Sequence, residues 1–327
     1  MKHRPAPAGC SIEVALRAPL DVAASVEGFR RWGDDLLDRW DGTTLLRSVR
    51  VAGEAIPVAC VSVGSTNAPR LRVTTNDPCH LDAVAQAAAG FFATVAPESL
   101  RRLTERDPVV RAADAMQPGV RPVLQRDVLT ALVRSISAQQ INLRFAATVR
   151  ARLARRYGRR HEVDGHEVWS LEAGPLAAAG AADLRALQFT TRKAEYIIGV
   201  AGAVQDGALD FARLAAATDE SVITTLTALS GIGRWSAEWL LARSLGRPVV
   251  VAGDLGVRKA VGHAYNDGAM PTVRGRLPRP PCEQEVRRLT AHWGEAAGVA
   301  QQLLLNVLTA DRWDELRART VSGAAAR

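Results

Sequence analysis

Cysteine is scarce in this 327-residue chain, and long apolar runs are absent. The cysteines stand far apart, at Cys10, Cys60, Cys79 and Cys282. This spacing argues against a disulfide framework and against a metal site built on neighbouring thiolates. The first nine residues are rich in Pro and Ala and do not resemble a secretory leader, and no segment is apolar over the length of a membrane span. These absences predict a cytoplasmic protein with free thiols.

Positive charge exceeds negative charge along the chain. The 42 Lys and Arg residues outnumber the 34 Asp and Glu residues, which gives a net charge of +8 and a pI near 10.0. Arg supplies almost all of the excess, and Arg side chains displace counterions from phosphates. The composition therefore favours a polyanionic partner such as nucleic acid. A basic protein without such a partner is the alternative, because net charge bears on association and not on fold.

The first third of the chain mixes strand and helix patterns. Strands are predicted over Ser11–Leu16, Thr44–Val51, Ile56–Val63 and Arg70–Thr75, and helices over Val22–Trp40 and Pro78–Thr94. This order predicts a small α+β domain over residues 10–95, preceded by a disordered tail at residues 1–9.

Helical periodicity dominates from residue 97, and strand signals almost vanish there. The predicted helices are Arg126–Ala138, Leu143–Tyr157, Ala181–Ala186, Lys193–Val204, Phe211–Ala217, Ser221–Ala228, Trp235–Leu245, Leu255–Tyr265, Glu283–Trp293 and Ala296–Ala310. We expect a helical domain over residues 96–317 and a disordered tail at residues 318–327. Asn266–Pro281 is a long irregular loop with Arg274, Arg276 and Arg279, and loops of this length are usually functional or mobile.

Two predicted helices flank the short segment Leu229–Gly233, which reads Leu-Ser-Gly-Ile-Gly. Gly231 and Gly233 allow positive φ and close approach to another surface, and Ile232 between them can return to the core. The free N–H groups at the start of the next helix, from Arg234, form an anion site. Together these features predict a clamp for nucleic-acid phosphates that does not read base sequence. An ordinary helix–turn–helix packing element is the alternative.

An apolar extended run ends at Asp254, which opens another predicted helix. In this position an Asp is most simply an N-cap that accepts hydrogen bonds from the first-turn amides. The same amides stabilise the negative carboxylate, which can then face a developing cation. The roles of cap and of catalytic group are therefore compatible.

The hairpin Leu229–Trp235, taken with Asp254, resembles the helix-hairpin-helix DNA glycosylase superfamily, most closely its 3-methyladenine DNA glycosylase II branch. Asp127–Gln140 resembles the early helix and intercalation loop of that superfamily, and Thr191–Ala194 resembles another shared segment. The similarity covers roughly residues 100–315. It implies a mostly α, two-subdomain helix-hairpin-helix glycosylase fold with an N-terminal α+β (TBP-like) domain.

The resemblance implies a DNA glycosylase that flips a damaged nucleotide out of the duplex and hydrolyses its N-glycosidic bond through an oxocarbenium-like sugar. Asp254 would stabilise that cation and orient the attacking water. Gln139 or Gln140 would fill the gap in the duplex, although a polar helix end is the alternative for both. Gly231, Ile232, Gly233 and Arg234 would hold the DNA backbone.

Trp235 and Trp239 lie four residues apart on one helix face. By resemblance they line the base pocket and stack on an electron-poor alkylated base, while core packing is the alternative. Glu238 between them is expected to face solvent. Trp235 also stands where bifunctional members of the superfamily carry a Lys, so we expect hydrolysis without AP lyase activity.

In the family, hairpin carbonyls also hold a monovalent cation. The matching carbonyls are those of Thr227, Leu229 and Gly231, so Na⁺ or K⁺ is expected there. No other cofactor is expected, and the absence of cysteine after Trp293 argues against an iron–sulfur cluster. The expected partner is double-stranded DNA with a damaged base, bound by a monomer that is associated with the nucleoid and not with a membrane.

The C-terminal part departs from the family pattern. Trp293–Gly298 and the following Gln301–Leu305 lack a Trp, an Arg and a later aromatic residue that the family usually carries there. A pocket with fewer aromatic rings should bind a small cationic base less well or accept a different lesion. Two alternatives therefore stay open: a glycosylase for another, bulkier lesion, and a non-catalytic DNA-binding protein that uses the hairpin as a clamp.

Overall fold

The computed structural model describes residues 9–265 and 280–325. Residues 1–8 of the predicted N-terminal tail lie outside this range, as does the loop from residue 266 to residue 279 with its three arginines. Among the described residues, no helix is both long enough and apolar enough to cross a bilayer.

An antiparallel sheet forms the N-terminal domain. Its strands are β1 (Cys10–Ala15), β2 (Asp38–Trp40), β3 (Thr44–Val51), β4 (Glu54–Ser62) and β5 (Arg70–Thr75), in the spatial order β1-β5-β4-β3-β2. Helices α1 (Val22–Arg31) and α2 (Leu81–Ala89) pack with the sheet around an apolar core that includes Val26, Leu45 and Val84. This arrangement confirms the N-terminal α+β domain.

The predicted single helix over Val22–Trp40 is wrong. Helix α1 ends at Arg31, and Gly33 follows with a φ of +99°, which a helix does not accommodate. The side chains of Asp34 and Asp35 then accept hydrogen bonds from the amides of Leu36 and Leu37. These local turns compete with helical hydrogen bonding, and the chain enters β2 instead.

Helices form most of the remaining chain. They are α3 (Pro97–Arg106), α4 (Pro108–Met116), α5 (Val128–Ala138), α6 (Leu143–Tyr157), α7 (Ala173–Ala177), α8 (Ala181–Ala186), α9 (Thr191–Gln205), α10 (Phe211–Ala216), α11 (Asp219–Thr227), α12 (Arg234–Arg243), α13 (Leu255–Tyr265), α14 (Glu283–Thr290), α15 (Ala297–Ala310) and α16 (Trp313–Ala325). Two separate cores result. One joins α5, α6, α9, α11 and α12, and the other joins α3, α4, α13, α14, α15 and α16. The mostly α fold with two helical subdomains is confirmed.

A hairpin of β6 (Gly158–Val163) and β7 (His166–Leu171) interrupts the helices, although no strand was predicted there. Val163 and Val168 pack against Leu46 and Ala59 of the N-terminal sheet. Most residues of β6 are polar, so the alternation of apolar residues is weak. The Asp164-Gly165 turn, in which both residues have positive φ, is the signal that sequence reasoning missed.

The disordered tail predicted for residues 318–327 is wrong over residues 318–325, because α16 continues to Ala325, and residues 326–327 lie outside the described range. Its first turns are anchored by Trp313 and Leu316, which are buried in the second helical core. The Trp313 ring also stacks on His263 of α13, with 4.8 Å between ring centroids. Apolar packing therefore offsets the polar composition of this segment.

A buried cluster of charged residues joins the N-terminal domain to α5 and α6. Asp35 pairs with Arg134 at 2.8 Å and with Arg150 at 2.9 Å, and Asp38 pairs with Arg47 at 2.7 Å. Burial raises the pKa of Asp35, but attraction and hydrogen bonds from Arg134 and Arg150 outweigh it and lower this pKa to about 2. The cluster fixes one wall of a cleft that lies between the domains.

Candidate active site

The cleft has a volume of about 1480 Å³ and is lined by α1, α5, α12, α13, α15 and the loop between α5 and α6. The lining includes Asp254, Trp235, Trp239, Gln139 and Gln140, so the fold brings together side chains that are more than 100 positions apart in sequence. Gly233 also lies at this surface. Thr227 and Leu229 are not among the described residues that line the cleft.

Asp254 is held from two sides at the start of α13. Its Oδ1 accepts a hydrogen bond from the Val257 amide at 2.9 Å, as expected of an N-cap. Its Oδ2 accepts a hydrogen bond from Nε1 of Trp235 at 3.2 Å. A Cβ on Gly256 would lie 3.0 Å from Oδ1 and 3.2 Å from the Leu305 side chain, so the glycine keeps the space beside the carboxylate open. The carboxylate is therefore fixed while it faces the cleft.

One face of α12 forms a wall of the cleft. Trp235, Trp239 and Arg243 stand at intervals of four residues, which places them above one another on the helix. Both tryptophans are half-buried, so each ring packs against protein on one side and borders the cleft on the other.

Glu238 does not face solvent, and that prediction is wrong. Its side chain is only 2% exposed and forms ion pairs with Arg234 at 2.9 Å and with Arg287 of α14 at 2.6 Å. Two guanidinium groups offset the cost of burying the carboxylate. The glutamate therefore ties the start of α12 to the second helical subdomain.

The two hairpin glycines have different roles. Gly231 has a φ of +83°, and a Cβ there would lie 2.1 Å from the ring of Tyr196, so only glycine fits. Gly233 has an extended backbone with a φ of −93°, and a Cβ there would meet nothing within 4 Å. The prediction of positive φ is thus confirmed for Gly231 and wrong for Gly233. The side chain of Ile232 is buried in the first helical core, as expected.

Helix α12 begins without a side-chain cap. Gly233 is its N-cap residue and supplies no capping side chain, and among the described residues no side chain is bonded to the first-turn amides of this helix. Gly233 is exposed, and the Arg234 side chain is 62% exposed. Uncapped amides, an exposed guanidinium and the helix dipole together form a site suited to an anion.

The loop after α5 is tied to the hairpin. Nε2 of Gln139 donates a hydrogen bond to the Gly231 carbonyl at 3.2 Å, whereas Gln140 is exposed and has a φ of +55°. Lys193 of α9 donates from Nζ to the carbonyls of Ser137 at 3.0 Å and of Gln139 at 2.6 Å. Burial lowers the pKa of Lys193. The hydrogen bonds of Gln139 and Lys193 thus brace the loop between α5 and α6. Gln140 projects from this braced loop, and Gln139 is part of the brace.

Arg243 was not singled out from the sequence, although its spacing from Trp235 and Trp239 is a signal for the same face. Its guanidinium donates a hydrogen bond to Oε1 of Gln302 at 2.5 Å, and Nε2 of Gln302 donates to Oδ1 of Asn306 at 2.8 Å. Burial lowers the pKa of Arg243 to about 10, although the Asp254 charge opposes this shift. The wall of α15 that lacks aromatic rings thus carries a polar network beside Leu305.

Trp293 takes no part in the cleft lining. Its side chain is 2% exposed in the second helical core, and its Nε1 donates a hydrogen bond to the Tyr265 hydroxyl at 3.0 Å. The aromatic rings that border the predicted base pocket on α12 are therefore those of Trp235 and Trp239.

Comparison with known proteins gives a family match over part of the chain. Residues 133–274 match the model of the HhH-GPD superfamily base excision DNA repair protein. A putative DNA-3-methyladenine glycosylase of Bacillus subtilis is 34% identical over 42% of this chain and 48% of its own length. A DNA-3-methyladenine glycosylase of the same organism is 26% identical over 63% of this chain and 65% of its own length. The chain therefore spans between about half and two thirds of these relatives.

The fold extends the likeness beyond the matched segment. A 3-methyladenine DNA glycosylase from Archaeoglobus fulgidus has a TM-score of 0.78 and 23% identity, with 91% of this chain and 98% of that chain covered. The shared fold thus includes the N-terminal domain. Residues 133–274 thus resemble the HhH-GPD superfamily, and the chain is similar in sequence to DNA-3-methyladenine glycosylases.

Proposed function

We propose that the protein is a DNA glycosylase that hydrolyses the N-glycosidic bond of alkylated bases in base excision repair. The observation that carries this proposal is the carboxylate of Asp254, which is fixed by Val257 and Trp235 and faces a cleft bordered by aromatic rings. The names of the relatives, DNA-3-methyladenine glycosylases, support alkylated bases as the substrate class.

In this account the start of α12 binds the backbone of double-stranded DNA. The uncapped amides after Gly233 donate to a phosphate, and Arg234 adds positive charge beside them. The damaged nucleotide leaves the stack, and Gln140 fills the gap because it is exposed and directly follows Gln139, which is bonded to the hairpin. One monomer contains every side chain that this account requires.

The flipped base then enters the cleft beside Trp235 and Trp239. As the glycosidic bond breaks, positive charge develops on the sugar, and the nearby carboxylate of Asp254 stabilises it. The same carboxylate orients the water that attacks the anomeric carbon. The N-cap bond to Val257 leaves Oδ2 and its tryptophan partner on the cleft side.

Simple hydrolysis without AP lyase activity is part of the proposal. Trp235 offers no amine for a Schiff base at the position where bifunctional members of the superfamily carry one. Lys259 also lines the cleft, so its amine is the alternative nucleophile to test. Borohydride reduction during turnover should trap no protein–DNA adduct with either wild type or Lys259→Met. An adduct that disappears in Lys259→Met would contradict this part.

A monovalent cation at the hairpin is proposed as well. The Leu229 carbonyl accepts a hydrogen bond from the Ile232 amide at 3.1 Å, and the Gly231 carbonyl accepts one from Gln139. Each of these oxygens keeps a second lone pair, and the Thr227 carbonyl lies at the end of α11. The three carbonyls therefore suit Na⁺ or K⁺, which would add positive charge beside a DNA phosphate.

Mass spectrometry of bases released from methylated duplexes tests the proposed activity. Wild type should release alkylated bases, and Asp254→Asn should release them at least about a hundredfold more slowly while it binds the duplex equally well. If neither protein releases a base and both bind DNA, the chain is a non-catalytic clamp. If wild type releases only other modified bases, it is a glycosylase for a different lesion.

A further inference from the structure

A half-buried cation, Arg243, lies in the cleft where the flipped base would enter. Arg243 follows Trp235 and Trp239 along the face of α12, and its guanidinium lines the same cleft. Burial is extensive enough to lower its pKa to about 10, yet it stays protonated at neutral pH. The cost of burying such a group is normally offset by several acceptors or by a close carboxylate.

Arg243 has few partners for its five N–H donors. Among the described residues, Oε1 of Gln302 is the acceptor that its side chain reaches, at 2.5 Å. Asp254 interacts with it through charge, but the carboxylate oxygens accept their hydrogen bonds from Val257 and Trp235. The remaining donors of the guanidinium are left for a group in the cleft.

The neighbours of Arg243 fix its orientation. Gln302 accepts from the guanidinium and donates to Asn306, which lies one turn further along α15. This chain of hydrogen bonds connects α12 and α15 across the floor of the cleft. A guanidinium held in this way presents a planar fork, which matches two adjacent acceptors and not a single point charge.

The charge of Arg243 also bears on the kind of base that fits. N-alkylation at a ring nitrogen such as N7 makes the base cationic and blocks an acceptor, so the fork would repel such a base and lose one of its hydrogen bonds. An uncharged purine with a carbonyl oxygen and a free N7 offers the pair of acceptors that an arginine binds best.

We propose that Arg243, positioned by Gln302 and Asn306, makes the pocket selective for an uncharged modified base with adjacent hydrogen-bond acceptors over a cationic N-alkylated base. This assignment rests on the proposed glycosylase activity and ranks its substrates: cationic N-alkylated bases are released, but more slowly than uncharged modified bases. Trp235 and Trp239 supply stacking for either kind of base, whereas Arg243 distinguishes between them.

Single-turnover base release from matched duplexes tests this assignment. The duplexes carry hypoxanthine or 1,N6-ethenoadenine as uncharged bases and 7-methylguanine as the cationic base. Wild type should release the uncharged bases faster. Arg243→Met, which keeps the length of the side chain without charge or donors, should slow their release by about tenfold to a hundredfold and leave 7-methylguanine release unchanged or faster.

One further variant separates the planar geometry of the guanidinium from its charge, and a second serves as a control. Arg243→Lys keeps the cation and should lose most of the rate on uncharged bases without a gain on 7-methylguanine. Arg101→Met removes an exposed guanidinium from α3, outside the cleft, and should match wild type on every duplex. Thermal unfolding checks each fold. If Arg243→Met does not fold, Gln302→Met should shift the selectivity in the same direction by a smaller factor.

The outcomes distinguish the two proposals. Wild type that binds all duplexes but releases no base overturns the glycosylase activity itself. Wild type that prefers 7-methylguanine, or an Arg243→Met variant that slows all bases by the same factor, overturns the selectivity of Arg243 and leaves the glycosylase activity intact.

Discussion

At the scale of single residues, Gly231 and Gly233 show how two glycines in one motif answer to different constraints. Gly231 is required by its positive φ and by the Tyr196 ring, so its role is to close the turn. Neither a positive φ nor a neighbouring side chain requires glycine at position 233, and a Cβ there would meet no atom within 4 Å. In the proposed function, this open space is where a DNA phosphate approaches the start of α12.

Alanine substitution separates these roles. Gly231→Ala should lower the free energy of unfolding by at least about 1–2 kcal/mol, because a Cβ is strained at this φ and the Tyr196 ring must also move. Gly233→Ala should change stability by less than about 0.5 kcal/mol but weaken DNA binding about tenfold. Denaturant unfolding and fluorescence anisotropy measure the two effects. Equal DNA affinity of Gly233→Ala and wild type would contradict the phosphate clamp.

The sequence predicted the burial of Ile232, and it singled out Asp254, Trp235 and Trp239, which the structure brings together at one cleft, because a hairpin and a helix cap leave local patterns. It did not predict the burial of Glu238 or the position of Arg243. Both depend on partners on distant helices, Arg287 for the first and Gln302 for the second. Ion pairs and hydrogen bonds across tertiary contacts leave no periodic signal in sequence.

At the scale of elements, the end of α5 and the start of α12 act as one unit. Lys193 donates to two carbonyls at the end of α5, and Gln139 joins the same loop to the hairpin. A cation at a helix C-terminus is also favourable to the helix dipole. The loop that carries Gln140 is thus braced from α9 and from the hairpin before DNA binds.

Removal of this brace should affect excision more than DNA binding. Lys193→Met leaves the carbonyls of Ser137 and Gln139 without their donor, so Gln140 loses its fixed position. Single-turnover base release should slow about tenfold, since misplaced groups reduce catalysis strongly. Affinity for undamaged duplex should stay within about twofold. Arg192→Met, on the exposed neighbour, is the matched control; equal excision by both variants would count against the brace.

The predicted bounds of a helix matched the observed bounds where the apolar residues of the sequence pattern are also the residues that pack in the core. Leu143–Tyr157 and Leu255–Tyr265 were predicted at their observed bounds. The β6–β7 hairpin and α16 were not predicted, because their stability comes from the N-terminal sheet and from the second helical core. Short polar segments of this kind take their structure from the surface on which they pack.

At the scale of the whole molecule, the charged cluster around Asp35 holds the N-terminal domain against α5 and α6. Arg134 and Arg150 both contact this carboxylate, and all three side chains border the cleft. The N-terminal domain therefore helps to shape the site, although the residues proposed for chemistry lie on the helices.

The cluster predicts a pH dependence of stability. The pKa of Asp35 falls from 3.8 to about 2 in the folded protein, so its contribution is complete above about pH 4 and is lost as the pH falls through about 2. Asp35→Asn removes the carboxylate that Arg134 and Arg150 share and should cost about 3 kcal/mol at neutral pH. The reason is that, among the described residues, Arg134 keeps only its ion pair with Asp38 and Arg150 keeps only a neutral partner, Ser137. In urea unfolding from pH 7 to pH 2, this difference should shrink only below about pH 4. A constant difference, or one as small as for exposed Asp82→Asn, would contradict the prediction.

Asp254 is central to the proposed function, because its carboxylate would drive hydrolysis of the glycosidic bond in a cleft beside the hairpin. Base release from methylated duplex DNA, measured for wild type and Asp254→Asn at equal DNA occupancy, tests it most directly. The account predicts release by wild type, with loss of at least about a hundredfold in the variant at unchanged affinity. Equal release by the two proteins would contradict it.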